Sequence, residues 1–231
     1  MARKRLVLFD IDGTLLSAGG ASARSISRAM QEVYGDFAHP ANFEYAGKTD
    51  PQICTEVMAS NGWHVAEIER HFDVVFERYV RYLSEALPQS PTARIFPGVR
   101  SLLERLAGNP DVCVGLLTGN IEATAWIKLR HFSLDHFFQV GAFGSDAKSR
   151  YALPPVAVER ATRLVTHSWI GKEVVIVGDT HHDILCGRDY GVKAIAVATG
   201  IYDRAFLQQH EPDYLFDDLS HVDHVHEAIL A

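Results

Sequence analysis

The chain has 231 residues, 47% of them apolar, and a formal net charge of −7. That length accommodates one large domain or a core with a smaller companion, and the composition is globular rather than disordered or fibrous. An acidic chain whose one N-terminal basic cluster is Arg3-Lys4-Arg5 makes a poor general nucleic-acid binder, and no apolar run reaches membrane-spanning length.

In chain order, Leu6 to Phe9 is a short apolar run closed by Asp10-Ile11-Asp12-Gly13, and it reads as a fully buried strand. The two aspartates break the run too early for a secretory signal peptide. Residues 17–96 then contain no convincing strand. Ile26, Ala29, Met30, Val33 and Tyr34 form a helical stripe that stops at Gly35. Asp50 and Pro51 look like the cap and first turn of a second helix carrying Ile53, Val57 and Met58, ended by Gly62. A third, longer stripe runs from Ile68 through Phe72, Val75, Phe76 and Tyr79 to Leu83. Candidate hinges bracket this block, Ser17-Ala18-Gly19-Gly20 on one side and the segment from Pro88 to Pro97 on the other.

Beyond it, Val99, Leu102, Leu103 and Leu106 share one helix face, with a stop at Gly108-Asn109-Pro110. Val112 to Leu117, Val174 to Val177 and Ala194 to Val197 are further buried strands, with Phe137 to Phe143 and Tyr214 to Phe216 as weaker ones. Pro154 and Pro155 open a helix continued by Val158, Ala161 and Val165, and a short helix over Asp183 to Tyr190 ends at Gly191. Alternating buried strands and helices predict an α/β fold, a parallel sheet covered on both faces. The expected division is 1–16 and 97–231 for the α/β core and 17–96 for an all-helical insert after the first strand. Cys54, Cys113 and Cys186 have neither metal-ligand nor redox-motif spacing. They read as buried thiols, which suits a cytoplasmic protein.

Ligands of an open parallel sheet bind beyond the carboxyl ends of its strands. Asp10, Asp12, Gly13 and Thr14 follow the first run, and Thr118, Gly119 and Asn120 follow the second. Gly178, Asp179, Thr180 and, four residues after Asp179, Asp183 follow the run Val174 to Val177. Carboxylates gathered at one edge repel unless a cation compensates them, and hard oxygen ligands suit Mg²⁺.

These segments resemble the haloacid dehalogenase superfamily in its phosphatase branch. Asp10-Ile11-Asp12-Gly13-Thr14-Leu15 matches the first family motif, Thr118 closes an apolar strand as the second requires, and Gly178-Asp179-Thr180-His181-His182-Asp183 matches the fourth. The resemblance implies a Rossmann-like core with a helical cap, as in the branch that includes phosphoglycolate phosphatase and β-phosphoglucomutase. It implies Asp10 as nucleophile forming an aspartyl-phosphate, and Asp12 as acid and base. Thr118 and the backbone near Gly119 and Asn120 would hold the phosphoryl oxygens. Asp10, Asp12 through its carbonyl oxygen, and Asp179 would bind Mg²⁺. Asp183, i+4 from Asp179 and so able to share a helix face with it, would contact the metal through water or orient its ligands.

The third motif departs from the family pattern. Its usual lysine precedes a proline-containing helix, and here the segment reads Lys148-Ser149-Arg150-Tyr151-Ala152-Leu153-Pro154. Arg150 stands closer to the helix and can bridge phosphate and carboxylate, whereas Lys148 keeps the usual residue type. Arg150 is preferred as the catalytic cation, with Lys148 retained as a phosphate-binding candidate.

Two further features stand out. His181 and His182 are adjacent, which argues against their sharing one helix face as a zinc pair. Gly47-Lys48-Thr49-Asp50 in the insert is either a cap with a solvated lysine or a loop that reaches the active site. The expected partner is a small phosphorylated metabolite, with neither nucleic acid nor membrane, and the oligomeric state is open. A phosphomutase sharing the aspartyl-phosphate is the alternative enzyme, and a catalytically silent binding protein on the same fold is the alternative class. Asp12 disfavours a dehalogenase or a phosphonatase.

Overall fold

The computed structural model describes residues 4–41 and 43–231. Arg3, part of the N-terminal basic cluster, lies outside them. The described residues form strands β1 (Arg5–Phe9), β2 (Leu16–Ser17), β3 (Arg94–Ile95), β4 (Val112–Leu117), β5 (Val140–Ala142), β6 (Val174–Gly178), β7 (Lys193–Val197) and β8 (Tyr214–Phe216). Helices α1 (Ala21–Tyr34), α2 (Asp50–Ser60), α3 (Val65–Arg70) and α4 (Phe72–Ala86) lie between β2 and β3. Helices α5 (Val99–Ala107), α6 (Glu122–His131), α7 (Leu153–Val165), α8 (His181–Tyr190), α9 (Arg204–Gln208) and α10 (Val222–Leu230) follow.

Six strands make one parallel sheet in the order β5-β4-β1-β6-β7-β8. The chain builds outward from β1 to β4 and β5, then returns to place β6 on the other side of β1. This reversal is the topological switch point where open α/β sheets bind ligands. All of β1 is buried, as a strand covered on both faces must be. Val7 and Phe9 pack with Leu102 and Leu106 of α5, Leu129 of α6 and Ile229 of α10. Leu6 and Leu8 point to the opposite face, against Ala157 and Ala161 of α7 and Cys186 of α8. The α/β fold with helices on both faces is therefore the one the hydrophobic runs imply.

Helices α1 to α4 carry their own core, in which Met30, Met58, Ile68, Tyr79 and Leu83 are fully or almost fully buried. Burying a large apolar side chain is worth about 1.5–3 kcal/mol, so the insert is held chiefly by these contacts. Its connection to the sheet is a two-stranded antiparallel ribbon pairing Leu16 with Ile95 and Ser17 with Arg94. Its first strand crosses the boundary expected at 16/17, and its second ends at Ile95, just inside the boundary expected at 96/97. Two-residue strands are too short to leave a periodic signature, which is why the sequence shows none here.

Several local readings need correction. The long third stripe is two helices, α3 and α4, separated at His71. The cap of α2 is Thr49, whose hydroxyl accepts from the Gln52 N–H, and Asp50 is already helical. The strand within Phe137 to Phe143 is limited to β5, because Asp135–Phe137 is a 3₁₀ turn. Helix α8 starts at His181 with Thr180 as its cap, so Asp179 lies outside the helix. Helices α6, α9 and α10 have no counterpart among the sequence readings.

Candidate active site

The carboxyl ends of β1, β4 and β6 meet at the switch point and deliver three groups of side chains. Asp10 follows β1 and is buried, and its N–H continues the ladder to the Val177 carbonyl at 2.9 Å. The turn after it reverses the chain, with Gly13 at φ 87°, a value that favours glycine. A Cβ there, or on Gly200, would collide with the Asp179 carboxylate, so two bare backbones close around that group. Thr14 donates its hydroxyl to Asp179 Oδ1 at 2.8 Å.

Asp183 reaches the same place from the first turn of α8. Its Oδ2 accepts from the Thr180 N–H at 3.1 Å and the Thr180 hydroxyl at 2.7 Å, a reciprocal capping box. This fold-back, rather than a shared helix face, brings it to Asp179. Asp10, Asp179 and Asp183 present carboxylate oxygens all within 4.8 Å of one another.

Arg150 supplies the buried countercharge. It opens a short 3₁₀ turn, Arg150–Ala152, that leads into α7, and its side chain is 2% exposed. Its Nη2 lies 3.3 Å from Asp10 Oδ1, donates to the Leu117 carbonyl at 3.2 Å and also pairs with Asp183 Oδ1. Its buried Nε–H has no hydrogen-bond partner among the described residues. Lys148 goes elsewhere. It is well exposed, its ammonium pairs with Glu69 of α3, and its carbonyl accepts from the Thr49 hydroxyl at 2.5 Å. Of the two candidate cations, the structure brings Arg150 to Asp10 and carries Lys148 to the insert.

Burial pushes the Asp10 carboxyl up to about 6; Arg150 opposes the rise, while Asp183 and Asp12 add to it. Burial also drives Asp179 well above the carboxylate range, with Asp10 and Asp183 reinforcing it. One guanidinium among three crowded carboxylates leaves excess negative charge, which a divalent cation would offset. Both oxygens of Asp183 are engaged by Arg150 and Thr180, so Asp10 and Asp179 are the pair with capacity to face such a cation. The all-oxygen donor set fits Mg²⁺.

Thr118 is fully buried at the end of β4. Its Oγ1 accepts from the Asn120 side-chain amide at 2.7 Å, and its own hydroxyl proton has no acceptor among the described residues. Asn120 also donates to Asp12 Oδ2 at 2.8 Å. Gly119 serves the insert, since its carbonyl accepts from the Asp50 N–H at 2.7 Å. A Cβ on Gly119 would strike the Lys48 carbonyl. The Asp50 carboxylate in turn accepts from the Ile121 N–H at 2.9 Å, at the start of α6. The segment from Gly47 to Asp50 is thus seated on the site, and Arg150 Nη1 reaches the Gly47 carbonyl at 3.5 Å.

A cavity of about 610 Å³ opens between sheet edge and insert. Asp10, Asp12, Thr118, Arg150 and Asp179 lie at its base, and Phe43, Tyr45, Lys48 and Ile53 line its insert side. Lys48 is held by Glu56 at 2.5 Å, with its ammonium 4.3 Å from the centre of the Phe43 ring. Lys128 also lines the cavity and had no place in the sequence reading. Its side chain is 1% exposed, and its ammonium donates to Asp12 Oδ2 at 2.6 Å and to the Asn120 side-chain oxygen. The available signal was a lysine flanked by Ile127 and Leu129, ten residues after Thr118.

His181 and His182 do approach each other, with ring centres 4.1 Å apart, and together with Glu44 they place ligand-type atoms within 4.8 Å. Their rings also pack on aromatic neighbours, His181 on Tyr202, Phe206 and His210, and His182 on Tyr151. Cys54, Cys113 and Cys186 are buried and free, and no described helix is long and apolar enough to cross a membrane.

Known proteins resemble this chain along most of its length. The model of haloacid dehalogenase-like hydrolases matches residues 7–197. Pyrophosphatase PpaX of Bacillus cereus (strain Q1) is 25% identical over 228 residues, spanning 93% of this chain and 92% of the relative. Among solved structures, a hydrolase from Pseudomonas syringae superposes with a TM-score of 0.73 at 19% identity, covering 97% of this chain and 99% of its own. A predicted phosphoglycolate phosphatase from Haemophilus somnus 129pt gives 0.70 at 20% identity, covering 98% and 99%. At these identities the structural likeness speaks for the fold.

Proposed function

The chain belongs to the haloacid dehalogenase-like hydrolases, and we propose that within that family it is a Mg²⁺-dependent phosphatase acting on a small phosphomonoester through an aspartyl-phosphate. The observation that carries the reading is Asp10, a buried carboxylate held 3.3 Å from the Arg150 guanidinium at the base of the cavity. A purely structural ion pair has no need of an opening onto a large cavity, or of a neighbouring donor left unpartnered.

The chemistry then assigns itself to named groups. An Asp10 oxygen attacks phosphorus, and the bond from phosphorus to the ester oxygen breaks, its electron pair leaving with that oxygen. Asp12, whose side chain is 40% exposed toward the cavity, gives the leaving oxygen a proton. The same carboxylate then takes a proton from the water that attacks the aspartyl-phosphate, releasing inorganic phosphate and restoring Asp10. The Thr118 hydroxyl and the Arg150 guanidinium, both lining the cavity, would hold equatorial phosphoryl oxygens, where charge persists throughout the transfer. Asp10, Asp179 and the Asp12 carbonyl oxygen would hold Mg²⁺, with Asp183 orienting the set, and the ion would offset repulsion between the phosphate dianion and Asp10.

A panel of phosphorylated metabolites and aryl phosphates, assayed for inorganic phosphate with Mg²⁺, tests the reading and its alternatives together. Phosphate release that stops with EDTA and returns with Mg²⁺ is the expected result. An isomerised sugar phosphate without phosphate release would replace hydrolysis by mutase chemistry. Undiminished turnover in metal-free buffer would contradict the metal's role, and silence across the panel would favour a binding protein.

A further inference from the structure

Lys128 is a buried cation that the hydrolytic scheme above leaves without a task. It comes from α6, the helix between sheet and insert, and meets acidic groups from both sides. Its ammonium donates to Asp12 Oδ2 at 2.6 Å and to the Asn120 side-chain oxygen. Asn120 donates to the same Asp12 oxygen at 2.8 Å and to Thr118 Oγ1 at 2.7 Å. From the insert, the buried Asp50 carboxylate lies near enough for Lys128 to favour its charged form against the cost of burial. Thr118, Asn120, Lys128 and Asp12 therefore form one connected network running from the phosphate grip to the acid–base carboxylate.

The geometry is one-sided. Lys128 and Asn120 both bind Oδ2 of Asp12, and Oδ1 receives no hydrogen bond from the described residues. The Lys128 side chain is 1% exposed and the Asp12 side chain 40% exposed, so the tether comes from beneath and the carboxylate opens to the cavity above. A charged donor and an amide on one oxygen restrict rotation of the carboxylate far more than solvent would. Misplacement of a proton-transfer group by about 1 Å can cost on the order of 10²-fold.

We propose that Lys128 is a positioning residue for catalysis, holding Asp12 by one oxygen so that the other is presented to the leaving group and to the hydrolytic water. The inference rests on the phosphatase reading and on Asp12 as its acid and base. Lys128 acts through Asp12 and touches no reacting atom. A simple charge-balancing role would make removal of Lys128 costly for stability, but would not tie its effect on rate to the presence of the Asp12 carboxylate.

A double-mutant cycle between Lys128→Met and Asp12→Asn, read with 4-nitrophenyl phosphate and Mg²⁺, separates the two. This ester needs little protonation of its leaving group, which keeps the Asp12→Asn rate measurable. Lys128→Met is expected to lower kcat about 10–100-fold with KM changed less than about threefold. Lys128→Arg should recover part of that loss, since it restores a charged donor. In the Asp12→Asn background, Lys128→Met should cost less than about threefold more, because the group it positions is gone. Losses that multiply, or a Lys128→Met enzyme with wild-type kcat, would overturn the proposal. Removing one partner of a buried pair can cost about 3–5 kcal/mol of stability, so each variant is melted first. If the methionine variant does not melt cooperatively, Lys128→Gln takes its place in the cycle with the same two outcomes. A wild-type protein without phosphatase activity, or a fully active Asp12→Asn, would defeat the underlying reading. An active wild type and a crippled Asp12→Asn beside an unaffected Lys128 variant would defeat only the role of Lys128.

Discussion

Single residues divide into those that sequence spacing could indicate and those that it could not. Asp10, Asp12, Thr118 and Asp179 stand directly after buried strands, where a short motif and the end of a hydrophobic run coincide. Arg150 and Lys148 could not be separated in that way, because two residues of spacing do not reveal which side chain turns inward. The 3₁₀ turn at Arg150–Ala152 settles where each goes, burying the guanidinium and leaving the lysine at the surface. Asp50 was legible only as a helix-start residue, yet it is a buried acid whose carboxyl is raised to about 6, burial being the main cause. Between the ordinary value of 3.8 and about 6, the folded protein keeps a proton on Asp50 that the unfolded chain has lost. Stability therefore falls as pH rises through that window and is flat, in this contribution, above it. The size is at most about 3 kcal/mol. Asp50→Asn should thus lose less stability than the wild type between about pH 4 and pH 8 in matched denaturant titrations. An equal or steeper decline would show that the Asp50 carboxylate is not held at a cost.

Among elements, α6 is the instructive omission. Its buried positions are Thr124, Ala125, Lys128 and Leu129, which share one face at i, i+1, i+4 and i+5. Two of these four are polar, so the buried face shows no apolar stripe, and the lysine on it looks like an ordinary surface residue. Helices with one open face, such as α1 and α5, were plain for the opposite reason. The loop from Gly47 to Asp50 depends on a close backbone approach that no pattern announces. Gly119→Ala would push a methyl group into the Lys48 carbonyl while leaving β4 intact. The expected outcome is a rise in KM of about 10-fold or more, with the melting temperature changed by no more than a few degrees. Unchanged KM would mean that seating of this loop does not contribute to substrate binding.

For the whole molecule, the topology does most to locate the chemistry. A chain that runs outward from β1 and then returns to β6 leaves a crevice at the reversal, and Asp10 and Asp179 end the two strands that border it. That much follows from alternating hydrophobic runs once the order of the strands is known, although the runs alone do not state the order. The helical insert closes over the crevice with its own core, and we propose that it acts as a cap. The ribbon of β2 and β3 joins the two parts in place of a bare linker, and strands this short leave no pattern in the sequence. Substrate choice belongs to this scale as well, since the cavity takes its base from the sheet and its insert side from Phe43, Tyr45, Lys48 and Ile53.

The proposed function stands on Asp10 carrying the phosphoryl group. Its most direct test is acid quenching of the enzyme during turnover of its best panel substrate with Mg²⁺, followed by peptide mass analysis of wild type and Asp10→Asn. The expected result is a phosphoryl group on the Asp10 peptide of the wild type, with neither label nor phosphate release in a folded Asp10→Asn. A label on another residue, or an Asp10→Asn enzyme that still turns over, would contradict it.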